Sequence, residues 1–189
     1  MEKILFVNAC VRPESRTREL AKLAISRLSG KVEVLDLAMA EIAPLTEETL
    51  NARTVALEQK DNTSPLLRYA IQFAAADVIV IAAPYWDLSF PALLKTYIEV
   101  INVVGITFRY NDKGVPETLC KAKELYYITT AGGPIVANLG FDYVKAVAEA
   151  FYQIPTVRCI CAEGLDVIGA DVTSIMDAAK AEILEVFPS

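Results

Sequence analysis

Five short apolar segments, separated by stretches with helical periodicity, constrain the fold of this chain more than any other feature. They are rich in β-branched residues and occupy residues 4–7, 32–37, 78–83, 125–128 and 157–161. Continuous apolar runs of this kind are typical of strands that are covered on both faces, as in a parallel sheet. The second segment, 32–37, is shorter and more alternating than the others.

Helical patterns lie between these segments. Residues 15–29 place leucines and an alanine on one face, and Gly30 is expected to end that helix. Ser64 followed by Pro65 predicts an N-cap and a first helical position for a helix that runs to about residue 75. Further helices are predicted from Thr46 onward and over 91–104, 138–152 and 172–186.

The alternating order predicts an α/β fold with a doubly wound, five-stranded parallel sheet and helices on both faces. With 189 residues, of which 54% are hydrophobic, the chain is expected to form a single domain over residues 1–189. In such sheets, ligands bind beyond the carboxyl ends of the strands, where the strand order reverses. The site is therefore expected in the loops that follow the strands.

Composition excludes several classes of function. The chain has 18 basic and 24 acidic residues, a balance that argues against a nucleic-acid partner, because a phosphate backbone requires a positive surface. It has no histidine, so a Ser-His-Asp or Cys-His mechanism is excluded. Its four cysteines form no C-x-x-C pair, and no metal site is predicted.

The cellular location is predicted from what the chain lacks. Its longest apolar run is far below the roughly 20 residues that span a bilayer, so no membrane insertion is expected. The segment after Met1 has no signal-peptide pattern. We therefore expect a cytoplasmic protein with reduced thiols.

The loop after the first strand combines hydroxyl groups with an unusual concentration of basic residues. Six basic and two acidic residues occur within 12–31 of an otherwise acidic chain. Arg12, Ser15, Arg16 and Thr17 surround a predicted helix start, where free N–H groups and the helix dipole favour an anion. The segment indicates a phosphate site; alternatively, Ser15 only caps the helix and the arginines are solvated. Neither dinucleotide-binding nor P-loop glycine motifs are present.

The loops after the third and fourth apolar segments suit a flat ring. Pro84, Tyr85 and Trp86 begin a rigid aromatic loop, which alternatively only roofs the core. Gly132 and Gly133 allow close approach of a ligand to backbone amides, although they also suit an ordinary turn. A phosphate pocket, an aromatic wall and an amide-rich wall together describe a flavin mononucleotide (FMN) cleft.

These residues resemble the flavodoxin-like NAD(P)H:quinone oxidoreductases and, within them, the FMN-dependent NADH-azoreductases. The similarity extends from Ile4 to about Glu182 and is most specific over 83–88, 105–110, 129–133 and 161–164. The resemblance implies that the first loop holds the FMN phosphate and that the two later loops flank the flavin ring. The implied cofactor-binding residues are Arg12, Ser15, Arg16, Thr17, Pro84, Tyr85, Trp86, Asp87, Leu88, Thr130, Ala131, Gly132 and Gly133.

Two segments depart from the azoreductase pattern. The azoreductases usually have Tyr-Asn-Phe where this chain has Trp86, Asp87 and Leu88, and Ser-Arg where it has Thr130 and Ala131. The Asp87 carboxylate would disfavour negative charge on a reduced flavin, and the missing arginine removes a contact. These departures therefore weaken the expectation of azo substrates more than the expectation of FMN as the cofactor.

The resemblance implies an FMN oxidoreductase that takes a hydride from NADH or NADPH at flavin N5 and passes it to a quinone-like or azo acceptor in a ping-pong cycle. The cofactor carries this chemistry, so no catalytic residue is assigned. Two alternatives remain open: a flavodoxin-type electron carrier without substrate turnover, and a redox-sensing regulatory subunit. The excursion over residues 105–122 could shape a substrate pocket and favours the enzyme.

A homodimer is also predicted. The helical segments 91–104 and 138–152 each carry a narrow polar stripe and a wider apolar arc than one sheet face requires. A second copy would bury these arcs, although deep packing within one chain is the alternative. The resemblance implies the same dimer, with residues 105–112 of the partner contributing to the flavin pocket.

Overall fold

The structure, a computed structural model, describes residues 1–188, and its centre is a five-stranded sheet. Residues 1–188 form seven strands: β1 Lys3–Asn8, β2 Lys31–Asp36, β3 Val78–Ala82, β4 Phe108–Tyr110, β5 Pro116–Thr118, β6 Glu124–Thr130 and β7 Thr156–Ala162. The sheet has the order β2-β1-β3-β6-β7, and all neighbouring strands are parallel. The predicted parallel sheet is therefore confirmed, and its strand order reverses between β1 and β3.

The described residues also form six α-helices. They are α1 Arg16–Arg27, α2 Glu47–Glu58, α3 Arg68–Ala75, α4 Ala92–Ile101, α5 Leu139–Val147 and α6 Val172–Val186, and α5 continues into a π-helical turn over Ala148–Tyr152. One core cluster unites a sheet face with α1 and α6, and the other unites the opposite face with α3, α4 and α5. The helices thus lie on both faces, as predicted. No helix in the described part of the chain is long and apolar enough to cross a bilayer.

Position in the sheet explains the hydrophobic pattern of each strand. All five residues of the central strand β3 are buried, because strands flank it on both sides and helices cover both faces. The edge strand β2 buries only Leu35 fully, which accounts for its short and alternating pattern. The apolar runs therefore reflect burial on both faces rather than strand propensity alone.

Two predicted helix ends are wrong. The helix expected from Ser64 and Pro65 begins at Arg68, because the Ser64 carbonyl accepts the Leu67 N–H at 3.0 Å and closes a turn first. Gly30 does not end α1, whose C-cap is Leu28 in an extended conformation. Instead, Gly30 allows close packing, since a Cβ there would lie 2.6 Å from the Glu2 carbonyl oxygen.

The excursion over residues 105–122 contains an antiparallel hairpin of β4 and β5. The Asn111 side chain accepts the N–H groups of Lys113 and Val115 at 3.0 Å and shapes the turn. Gln153, beyond the π-helical turn, donates to the Pro116 carbonyl at 3.0 Å. This contact ties the hairpin to the body of the protein.

Tyr97 offers a test of the packing around α4. It is fully buried, and its hydroxyl has no hydrogen-bond partner within residues 1–188. Leaving a buried hydroxyl unpaired costs about 1–3 kcal/mol, so Tyr97→Phe is expected to raise the free energy of unfolding by about 1 kcal/mol. The measurement is urea unfolding, with a higher midpoint at an unchanged slope.

Tyr152→Phe is the matched control. The Tyr152 hydroxyl donates to Asn102 Oδ1 at 2.6 Å, so its removal is expected to lower the free energy of unfolding by about 1 kcal/mol. A loss of the same size in both variants would contradict the absence of a partner for Tyr97.

Candidate functional site

A cavity of about 750 Å³ lies at the carboxyl ends of β1, β3, β6 and β7. This is the edge at which a doubly wound sheet binds its ligands, next to the reversal of strand order. Ten of the thirteen predicted cofactor-binding residues line it: Arg12, Ser15, Arg16, Thr17, Pro84, Tyr85, Trp86, Thr130, Ala131 and Gly132. Three loops that are distant in sequence therefore meet where the sequence placed the site.

The other three predicted residues do not line this cavity. Asp87 and Leu88 form the exposed tip of a turn that Trp86 and Ser89 close with two backbone hydrogen bonds of 3.1 and 2.8 Å. Both tip residues have positive φ, 52° and 65°, a conformation that is strained for residues with a side chain. Gly133 is exposed beside the cavity. Any contact of these three residues with a cofactor remains a prediction.

The start of α1 forms one end of the cavity. The Ser15 hydroxyl caps the helix by accepting the Arg18 N–H at 3.2 Å. Thr17 is almost fully buried, and its Oγ1 lies 2.7 Å from Thr130 Oγ1 at the end of β6. The free N–H groups and dipole of the first helical turn make this end suitable for an anion.

The arginines near this end have different partners. Arg16 reaches across the cavity, where its Nη1 lies 2.9 Å from Asp166 Oδ1. Arg18 folds back onto the carbonyl groups of Arg12 and Pro13. The arginines that follow Ser15 are therefore held by protein groups rather than simply solvated, while Arg12 is exposed at the cavity.

The aromatic loop divides its side chains between the cavity and the core. Tyr85 donates its hydroxyl to the Ala137 carbonyl at 2.9 Å, and its N–H donates to the Thr130 carbonyl at 3.0 Å. Trp86 is 40% exposed at the cavity, whereas Phe90 packs against the core. Tyr85 and Trp86 thus line the cavity, while Phe90 covers the core.

Sequence reasoning missed a fourth loop, which follows β7. Leu165 and Asp166 line the cavity, and their N–H groups donate to the carbonyls of Ala131 and Gly132 at 3.2 and 2.8 Å. A Cβ on Gly132 would overlap Asp166 Oδ2. The segment 161–164 was the sequence signal that could have located this loop, because the carboxyl ends of β6 and β7 lie on the same edge of the sheet.

The Cys10 thiol in the cavity is not an activated nucleophile. Cys10 lines the cavity, but burial raises the pKa of the Cys10 thiol, so this thiol stays protonated at neutral pH. The chain has no histidine to act as a base. The arrangement is suited to binding and orienting an anionic, planar molecule rather than to covalent catalysis by the protein.

Comparison with known proteins identifies similar chains. The family described as a flavodoxin-like fold matches residues 2–187. The FMN-dependent NADH:quinone oxidoreductase 2 of Clostridium acetobutylicum is 37% identical over an alignment that covers 93% of each chain. The FMN-dependent NADH:quinone oxidoreductase of Lachnoclostridium phytofermentans is 35% identical over an alignment that covers 95% of each chain.

Solved structures share the fold. An azoreductase from Bacillus anthracis str. Sterne is 24% identical, covers 98% of both chains and gives a TM-score of 0.82. An FMN-dependent NADH-azoreductase from Bacillus anthracis str. Ames Ancestor, solved in complex with FMN, also gives a TM-score of 0.82. It is 21% identical and covers 98% of this chain and 97% of that chain.

Proposed function

The chain belongs to the flavodoxin-like fold family, and from this premise we propose that it is an FMN-dependent NADH:quinone oxidoreductase. Relatives with that name are 35–37% identical over almost the whole chain. The observation that carries the proposal is the cavity at the strand ends, which joins a helix start suited to phosphate with an aromatic wall.

FMN fits the residues present. A cavity of about 750 Å³ is within the usual range for cofactors. The phosphate end has the start of α1 and exposed Arg12, and the flat wall has Gly132, where a side chain would fill the space beside Asp166. We assign the phosphate to Arg12, Ser15, Arg16 and Thr17, and the ring to the loops 84–88 and 130–133.

Bound FMN would supply the redox chemistry that we propose, which is hydride transfer at N5 from NADH or NADPH to a quinone-like or azo acceptor in a ping-pong cycle. The protein would bind FMN, orient it and shield it from water. Thr17 and Thr130 join the phosphate end to the ring end through their 2.7 Å contact, and the bond from Tyr85 to Ala137 fixes the aromatic wall. No protein proton donor is required, consistent with a chain without histidine.

We further propose that a second copy of the chain completes the site. Exposed apolar side chains follow α4 at Val104 and Tyr110, and others lie just before α5 at Val136 and at its first residue, Leu139. Partner coverage would bury them, and residues 105–112 would then enter the neighbouring cavity. Sedimentation at micromolar concentration tests this assembly, and a monomer with full activity would exclude it.

The proposed location is the cytoplasm, where the four free thiols stay reduced.

The purified protein is expected to be yellow, with an absorption band at about 450 nm that bleaches when NADH is added and returns when a quinone is added. Steady NADH consumption in the presence of a quinone separates an enzyme from a flavodoxin-type carrier or a redox-sensing subunit. A colourless protein that gains no thermal protection from added FMN would exclude the proposal. Parallel assays with NADPH and with an azo dye define the remaining substrates.

A further inference from the structure

Two cationic side chains of α1, Arg18 and Lys22, line the cavity and have no acidic partner within residues 1–188. They are here called the basic stripe. Lys22 is exposed, and Arg18 is half-buried against the carbonyls of the first loop. The stripe therefore presents unneutralised positive charge along one wall of the cavity.

The acids that could neutralise the stripe are held elsewhere. Glu19, one turn from Lys22 on the same helix, forms an ion pair of 2.9 Å with Lys180 of α6. Asp166 forms its ion pair of 2.9 Å with Arg16. Glu14 is the remaining acid in the lining, so the two cations of the stripe keep an excess of positive charge.

The spacing along α1 separates the stripe from a single phosphate. Arg18 and Lys22 stand four residues apart on one helix face, where two like charges repel each other. Lys22 lies six residues after Arg16, the first residue of α1, which is about 9 Å along the axis. A phosphate held by the N–H groups of the first turn thus leaves Lys22 available to another anion.

We propose that the basic stripe is a subsite for a second phosphate group, next to the phosphate held at the start of α1. This inference rests on the proposed FMN site and extends it. A second phosphate has two chemical sources: the diphosphate of FAD, or the phosphates of a dinucleotide cosubstrate, including the 2′-phosphate of NADPH.

Lys22→Glu is the test variant, and Lys31→Glu, at the start of β2, is its matched control with the same change in net charge. Apoprotein is titrated with FMN and with FAD, and FMN-loaded protein is titrated with 2′,5′-ADP. Lys22→Glu is expected to weaken binding of the second phosphate by about tenfold, as charge reversal beside a partly exposed anion requires. FMN affinity is expected to stay within about twofold.

Each outcome decides the proposal. A selective loss of FAD affinity identifies a diphosphate, and a selective loss of 2′,5′-ADP affinity identifies the cosubstrate. Equal affinities of the Lys22→Glu and Lys31→Glu variants for both probes overturn the subsite. If the wild-type apoprotein binds neither flavin, the proposed function fails, and 2′,5′-ADP titration of the apoprotein still tests the stripe.

A second variant addresses the stripe without altering it. Lys180→Met removes the partner of Glu19 and leaves that carboxylate able to pair with Lys22 one turn away. The affinity for the second phosphate is then expected to fall by about 1.5- to twofold. If neither Lys180→Met nor Lys22→Glu lowers the affinity for the second phosphate, the proposed electrostatic role of Lys22 is contradicted.

Discussion

Gly132→Val is expected to lower FMN affinity by about 10- to 100-fold, because its side chain overpacks the wall assigned to the flavin ring once FMN is bound, at a cost of about 1–3 kcal/mol. Gly132 lines the cavity at the end of β6, and even a Cβ at this position overlaps Asp166 Oδ2. The valine therefore occupies the wall assigned to the flavin ring or displaces Asp166 from Arg16. Quenching of FMN fluorescence on titration into apoprotein measures the affinity.

Gly133→Ala is the control beside it. A Cβ at Gly133 meets no atom within 4 Å, so FMN affinity is expected to change by less than about twofold. The urea midpoint of the Gly132→Val apoprotein is expected near that of the wild type, since the Asp166 side chain is 71% exposed and free to move. If Gly132→Val binds FMN with wild-type affinity, Gly132 does not form part of the wall assigned to the flavin ring.

Burial explains why the sheet could be predicted from the sequence. The strands β1, β3 and β6 lie inside the sheet under helices on both faces, so every position favours an apolar residue and the runs are continuous. Helix ends were harder to place. Ser64 and Pro65 carry the local signal of a helix start, yet a turn bond to Leu67 delays the helix by three residues.

The site could be predicted in part because parallel topology brings strand ends together. Three of its four loops carried recognisable site residues, whereas the fourth loop, after β7, was marked only by the neighbouring segment 161–164. The ion pair between Arg16 and Asp166 spans 150 residues of sequence, and no local pattern specifies which acid meets which arginine. The same holds for Thr17 and Thr130, whose 2.7 Å contact depends on the packing of α1 against β6.

Thr17→Val is expected to lower FMN affinity by about 10- to 100-fold, because a hydrogen bond to a charged group contributes about 1.5–3 kcal/mol. Valine keeps the shape of the buried threonine but removes the hydroxyl at the second position of α1. Loss of the contact with Thr130 is expected to lower the free energy of unfolding by about 1 kcal/mol as well. Isothermal titration of apoprotein with FMN and urea unfolding separate the two effects.

Riboflavin separates phosphate binding from damage to the fold, because it has the flavin ring and ribityl chain of FMN without the phosphate. Thr17→Val is expected to bind riboflavin as the wild type does, and Thr17→Ser, which keeps the hydroxyl, is expected to retain FMN within about threefold. Thr54→Val, on the exposed face of α2, controls for loss of a threonine hydroxyl elsewhere. If Thr17→Val weakens riboflavin and FMN equally, Thr17 acts by supporting the cavity wall and the phosphate lies beyond its reach.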